Sequence, residues 1–134
     1  MNKFNQSLKK LSILIPAYNE EKTIIPILKE LHRLTLDFSL EKEIIIIDDH
    51  STDRTAELVS DFITSNPNLK INYHRQKYNQ GKGAALHQAI EMATGEYIII
   101  QDADLEYDPN EYNLLLKPII SGRADVVYGS RFMG

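Results

Sequence analysis

The sequence predicts an α/β fold, a mostly parallel, Rossmann-like sheet flanked by helices, and three observations carry that expectation. The apolar runs Leu11–Ile15, Ile44–Ile47 and Tyr97–Ile100 do not alternate with polar residues, as expected of parallel strands covered on both faces. Amphipathic stretches of helical spacing separate the strands, which is the pattern of βαβ crossovers. Acidic clusters follow the second and fourth strands directly, at the sheet edge where open α/β folds bind ligands.

Each element has a local reason. Met1 to Lys10 is polar and reads as a tail, with the domain spanning Leu11 to Gly134. The first strand, Leu11–Ile15, is closed by Pro16 and leads into the loop Pro16-Ala17-Tyr18-Asn19-Glu20. A helix follows with Thr23 as its cap and Ile24, Ile27 or Leu28, Leu31 and Leu34 as its apolar stripe. That cap places Pro26 in the first turn, where a missing N–H costs nothing. The second strand, Glu43–Ile47, ends in Asp48-Asp49-His50-Ser51-Thr52-Asp53. Ser51 or Thr52 is expected to cap the next helix, with Asp53 in its first turn facing the positive dipole end and Ala56, Val59 and Phe62 or Ile63 buried. Asn66-Pro67-Asn68 ends it.

A third strand is expected over Leu69–His74, then a polar loop from Arg75 to Gly83. Ala84–Thr94 reads as a helix burying Leu86, Ala89, Ile90 and Ala93, with Gly95 as its left-handed stop. The fourth strand, Tyr97–Ile100, runs into Gln101-Asp102-Ala103-Asp104-Leu105-Glu106. Asp108 and Pro109 open a last helix with Tyr112, Leu115, Leu116 and Ile119 inward and Gly122 as its stop. A fifth strand, Ala124–Tyr128, leads into Gly129-Ser130-Arg131.

Composition narrows the function classes. With 134 residues the chain is long enough for one domain with a real core. A formal net charge of −4 and no basic stripe argue against nucleic-acid binding. Cysteine is absent, so thiolate metal sites and disulfides are excluded. The start lacks a signal-peptide core and no apolar run approaches a membrane span, so a cytoplasmic domain is expected.

Pooling the strand ends gathers Tyr18, Asn19, Glu20, Asp48, Asp49, Asp102, Asp104, Glu106 and Arg131 on one edge. Asp102 and Asp104 share a side of any continuing extended segment. Such a pair repels itself unless a cation intervenes, and a hard divalent ion suits carboxylates. A lone Asp-x-Asp is more often a capped surface turn, but acids at three strand ends of one sheet point to a site. Gly81-Lys82-Gly83 lacks the spacing of a phosphate-binding P-loop and reads equally as a helix start or an anion site. His50, His74 and His87 lack ligand spacing and read as structural, whereas Tyr18 stands at the ligand edge, in reach of a base.

The order Ile-Pro-Ala-Tyr-Asn-Glu, Ile-Asp-Asp-His-Ser-Thr-Asp-Arg-Thr, Asn-Gln-Gly-Lys-Gly-Ala-Ala, Asp-Ala-Asp-Leu-Glu and Gly-Ser-Arg resembles the inverting family-two glycosyltransferases of GT-A fold. The likeness runs from about Leu11 to the end and leans to the dolichol-phosphate mannosyltransferase and polyprenyl-phosphate glucosyltransferase branch. It implies transfer of a hexose from GDP-mannose or UDP-glucose to a polyprenyl or dolichyl phosphate at the cytoplasmic face of a membrane. The alternatives are a non-catalytic nucleotide-sugar-binding module and transfer to a saccharide hydroxyl. By the resemblance, Pro16, Ala17, Tyr18 and Glu20 line the nucleotide pocket, Ile47 and Asp49 hold the base, and Ala103 lies against the nucleotide. Asp102, Asp104 and Glu106 hold Mg²⁺ or Mn²⁺, with Glu106 standing where several relatives have Gln. Asp104 and Arg131 are the expected catalytic residues, and Lys82 neighbours a phosphate. Relatives continue past Gly-Ser-Arg, so the chain is expected to be the donor-binding part of a domain cut short on its acceptor side.

Overall fold

A computed structural model describes residues 9–36, 40–103, 109–120 and 126–129. The strands are β1 (Lys9–Ala17), β2 (Leu40–Asp48), β3 (Ile71–Arg75), β4 (Tyr97–Gln101) and β5 (Val126–Gly129). They form one sheet in the order β3-β2-β1-β4-β5, and every pairing is parallel. The helices are α1 (Ile24–Arg33), α2 (Thr55–Ser65), α3 (Lys82–Met92) and α4 (Tyr112–Ile120), the last preceded by a 3-10 turn at Pro109–Glu111. Asp104, Glu106, Asp108, Gly122 and Arg131, each singled out from sequence, lie outside the described residues.

The unalternating strands are explained by two cores. Ile13, Ile15, Ile44, Ile46 and Ile99 pack with α1, α2 and α4 through Ile27, Leu28, Leu31, Val59, Phe62, Tyr112 and Leu116. Leu14, Ile45, Ile47 and Ile100 point the other way, onto Ala85 and Ala89 of α3. Successive side chains of a strand alternate faces, so a run of four isoleucines serves both layers. The choice between Ile27 and Leu28 in α1 is resolved by burial of both.

β1 extends past the expected limits at both ends. Lys9 and Lys10 pair with Leu40 and Glu41, so the strand starts inside the stretch expected as tail. At the other end it continues through Pro16 to Ala17. The carbonyl of Ala17 accepts from the Asp49 N–H at 2.8 Å, so Ala17 faces β2 and Pro16 faces the β4 side. Pairing with β4 ends at Leu14, so the ladder needs no N–H where Pro16 has none.

Two helix expectations are corrected. α3 begins at Lys82 and buries Ala85 and Ala89, while Ile90 is half exposed. Small residues let this helix lie close against β1 and β2, and that closeness outranks the larger Ile90 as the inward face. Gly95 is not the helix stop, since α3 ends with Ala93 in an extended conformation as C-cap. Gly95 is needed instead for close approach: a Cβ there would sit 2.6 Å from the Lys10 carbonyl and from Ser12 Oγ.

At the amino end of the sheet Lys42 donates to the Leu31 and Leu34 carbonyls at 2.7 and 2.6 Å, closing the C-terminus of α1. Burial lowers the pKa of this ammonium. Among the described residues no helix is long and apolar enough to cross a membrane.

Candidate functional site

β1 leads to β2 on one side, and the chain returns to β4 on its other side, which opens a crevice at the carboxyl ends of β1 and β4. A cavity of about 150 Å³ lies there, lined by Pro16, Ala17, Tyr18, Glu20, Asp49, Lys82, Ala85, Asp102 and Ala103. The structure thus brings together eight of the residues singled out from the sequence and adds Ala85. Ile47 stands apart: it is fully buried in the core beneath α3 and does not line the cavity.

Two loops form one wall by bonding to each other. Asn19, in the left-handed region at φ 52°, accepts through Oδ1 from the Thr52 and Asp53 N–H groups at 2.8 and 3.3 Å. Ser51 Oγ accepts from the Asn19 N–H at 2.9 Å, and Thr55 Oγ1 accepts from the Glu20 N–H at 2.8 Å. Asp53 accepts from the Glu21 N–H at 3.2 Å and from the Thr55 hydroxyl at 2.6 Å. Burial opposes ionisation of Asp53, but the Thr55 hydroxyl and the amides outweigh it and lower its pKa. These bonds correct the expected start of α2. Ser51 and Thr52 are spent on the β1–α1 loop, and the helix opens at Thr55 after Arg54, with Asp53 Oδ1 accepting from the Thr55 N–H at 2.9 Å while Oδ2 bonds that loop. Tyr18, at the tip of that loop, is 45% exposed and lines the cavity.

Asp48 and Asp49 have different jobs. Asp48 is fully buried and accepts from the Tyr73 hydroxyl at 2.5 Å and the Ser51 N–H at 2.8 Å. Burial, then the bond to Asp48, raises the pKa of the Tyr73 phenol. Asp49 accepts one main-chain N–H on each oxygen, from Gln80 and Gly81, both at 2.8 Å. Gly81, at φ 97°, is the residue before α3, so this carboxylate fixes where the helix begins. A carboxylate oxygen has two acceptor positions, so each Asp49 oxygen retains one for a ligand.

Lys82 is therefore delivered to the cavity at the first position of α3, and its Nζ lies 2.6 Å from Asp102 Oδ1. Gln101 and Asp102 are held from behind. The Tyr112 hydroxyl donates to Gln101 Oε1 at 2.7 Å, and Gln101 Nε2 donates to the Asp102 carbonyl at 3.1 Å. The Thr23 hydroxyl bonds the Ala103 carbonyl and lies 3.1 Å from Glu20 Oε2, which ties the start of α1 to the Asp102-Ala103 turn. Sequence reasoning gave Thr23 only a capping role, yet its hydroxyl makes no capping bond. The partner is 80 positions away, and no local pattern signals it.

His50, at φ 66°, places Nδ1 3.1 Å from the Gln76 carbonyl, and His74 and His87 are exposed outside the cavity. Among the described residues no group of three or more His, Cys, Asp or Glu is placed to hold a metal ion. The donor chemistry does fit a hard divalent cation at one point, the Asp102 carboxylate beside the cavity. The other two expected ligands, Asp104 and Glu106, fall outside the described residues.

Residues 12–134 match the model of the family described as Glycosyl transferase family 2. A dolichyl-phosphate beta-glucosyltransferase of Dictyostelium discoideum is 36% identical over 131 residues, covering 90% of this chain and 39% of that protein. Among solved structures, the mannosyltransferase of Pyrobaculum calidifontis in complex with GDP-Man and Mn²⁺ superposes with TM-score 0.67 at 28% identity, over 78% of this chain and 30% of that one. S. aureus TarS in complex with UDP gives TM-score 0.63 at 30% identity, over 71% of this chain and 27% of that one. The chain spans half or less of the length of the curated relatives it matches.

Proposed function

The chain belongs to glycosyl transferase family 2, and on that premise we propose that it carries the donor-binding half of a hexosyltransferase. The donor is a nucleoside-diphosphate hexose, UDP-glucose or GDP-mannose, and the acceptor is a polyprenyl or dolichyl phosphate at the cytoplasmic face of a membrane. The observation that carries this reading is the cavity at the β1/β4 crevice, where Tyr18, Asp49, Lys82 and Asp102 converge. The likeness to a dolichyl-phosphate beta-glucosyltransferase supports the lipid-phosphate acceptor.

Tyr18 stacks on the base, and Asp49 accepts its N–H with the acceptor positions that Gln80 and Gly81 leave open. Pro16, Ala17, Glu20 and Ala103 wall the nucleoside. Asp102, Asp104 and Glu106 hold Mg²⁺ or Mn²⁺, which when bound supplies Lewis-acid stabilisation of the diphosphate. Lys82 and Arg131 add positive charge where the leaving group develops its own. An oxygen of the lipid phosphate attacks the anomeric carbon, the bond from that carbon to the diphosphate oxygen breaks, and the electron pair leaves with the diphosphate. The configuration inverts. The attacking oxygen is already anionic, so no base is required.

Calorimetric titration with UDP-glucose and GDP-mannose, each with and without Mn²⁺, tests the reading. Metal-dependent binding of one donor, weakened by Asp104→Ala, is the expected outcome. Absence of binding to either donor in the presence of Mn²⁺ overturns it.

A further inference from the structure

Lys82 occupies an electrostatically awkward place. It is the first residue of α3, where the helix dipole is already positive, and no acidic residue lies in that helix's first turn. Among the described residues its ammonium has one partner, Asp102 Oδ1 at 2.6 Å. The pair is lopsided: the lysine side chain is 58% exposed and the aspartate side chain 13%. The exposed ammonium can swing away into solvent, whereas the shielded carboxylate needs another cation in its place. The position of Lys82 in the chain is fixed all the same, because Asp49 clamps the Gln80 and Gly81 amides that set the start of α3.

We propose that Lys82 is a resident counter-ion that reserves Asp102 until donor arrives, then exchanges partners, so that divalent cation and diphosphate bind with positive coupling through this lysine. The inference rests on the functional reading above. A cation arriving alone at Asp102 must displace the ammonium from its one partner among the described residues and leave it beside a positive helix end. A diphosphate arriving alone must draw Lys82 away and face a bare Asp102. When both arrive, the cation takes the carboxylate and the ammonium takes a phosphate oxygen. Each ligand then removes the penalty that the other would meet, and such coupling is reciprocal.

The test measures Mn²⁺ binding through the free-ion EPR signal and UDP binding by calorimetry, for the wild type, Lys82→Met and Lys82→Arg, with folding checked by circular dichroism. Lys82→Met is expected to tighten Mn²⁺ binding without nucleotide by about fivefold. It is also expected to cut the factor by which Mn²⁺ raises UDP affinity by about fivefold, since the coupling is carried by this residue. Lys82→Arg keeps the charge and stays near the wild type in both measurements. Unchanged or weaker Mn²⁺ binding by Lys82→Met, or no Mn²⁺ binding by any of the three proteins, overturns the proposal. Failure of UDP to bind the wild type with Mn²⁺ present contradicts the functional reading instead, and the metal-only comparison still decides the role of Lys82.

Discussion

At the amino end of the sheet Glu43 is 5% exposed, and its carboxylate accepts from the Ser12 hydroxyl at 2.6 Å, the Thr94 N–H at 2.7 Å and the Thr94 hydroxyl at 2.9 Å. The donors are themselves held, since the Gly95 N–H donates to Ser12 Oγ and Lys10 Nζ donates to Thr94 Oγ1. At the carboxyl end Asp102 is 9% exposed, but among the described residues its side chain meets one half-exposed ammonium, and it borders a cavity. Both are nearly buried acids in one sheet. Glu43 is held by three donors fixed in the fold, and Asp102 by a partner that can exchange. Burial of an acid therefore does not by itself mark a site; exchangeable partners beside open space do.

If that contrast is right, substitutions at the amino end act on stability alone and those at the carboxyl end act on ligand. The largest effect is expected for Gly95→Ala. Its Cβ would overlap the Lys10 carbonyl and Ser12 Oγ, so a loss of about 3 kcal/mol is expected in chemical denaturation. UDP affinity of the folded fraction is expected to stay unchanged, and a change would break the comparison.

Glu43→Gln is expected to cost about 2 kcal/mol at pH 7, because one amide oxygen replaces a carboxylate that accepts from Ser12 and Thr94. Burial raises the pKa of Glu43, but the hydrogen bonds from Ser12 and Thr94 outweigh it and hold the pKa below the usual glutamate range. A carboxyl lowered in the folded state adds stability above its unfolded pKa, about 4.3, and loses it as pH falls through the folded value. Melts between pH 7 and pH 3 should show the wild type losing stability below about pH 4 more steeply than Glu43→Gln. Equal slopes would mean that the bonds from Ser12 and Thr94 do not hold the Glu43 pKa down.

The fold was legible because the chemistry that makes it is local. Unbroken isoleucine runs, periodic apolar positions and the Thr23-to-Pro26 helix start placed every described strand and helix within a few residues. The misplacements share one cause, which is distance. Ser51 and Thr52 look like helix caps but are taken by Asp48 and by Asn19, the latter 32 and 33 positions away, and Asp53 divides its oxygens between the Thr55 N–H at the helix start and the Glu21 N–H 32 positions away. Gly95 looks like a helix stop until its backbone is found against β1. Ile90 looks like core but is half exposed, and the face of α3 against the sheet is made by Ala85 and Ala89, with Leu86, Met92 and Ala93 partly buried beside them. In the site, sequence gathered the cavity residues through strand-end pooling and family likeness together. It missed Thr23 as a tether, and it placed Ile47 at the ligand when the side chain is sealed beneath α3.

The smallest expected change separates the two ends most cleanly. Tyr18 is 45% exposed, so Tyr18→Ala should leave the melting temperature within error. It should weaken UDP binding by about 1 kcal/mol, the scale of one aromatic stacking contact. A loss of stability without a loss of affinity would place Tyr18 with the amino-end residues.

The proposed function has ligand engage the carboxyl edge at β1 and β4 and leave the amino edge untouched. Amide chemical-shift mapping of the chain with UDP and Mg²⁺ checks this residue by residue. Shifts are expected at Tyr18, Asp49, Gly81, Lys82, Asp102 and Ala103, with Ser12, Glu43, Thr94 and Gly95 unmoved. Shifts centred on the amino-edge group, or none at the carboxyl edge under saturating UDP, would contradict it.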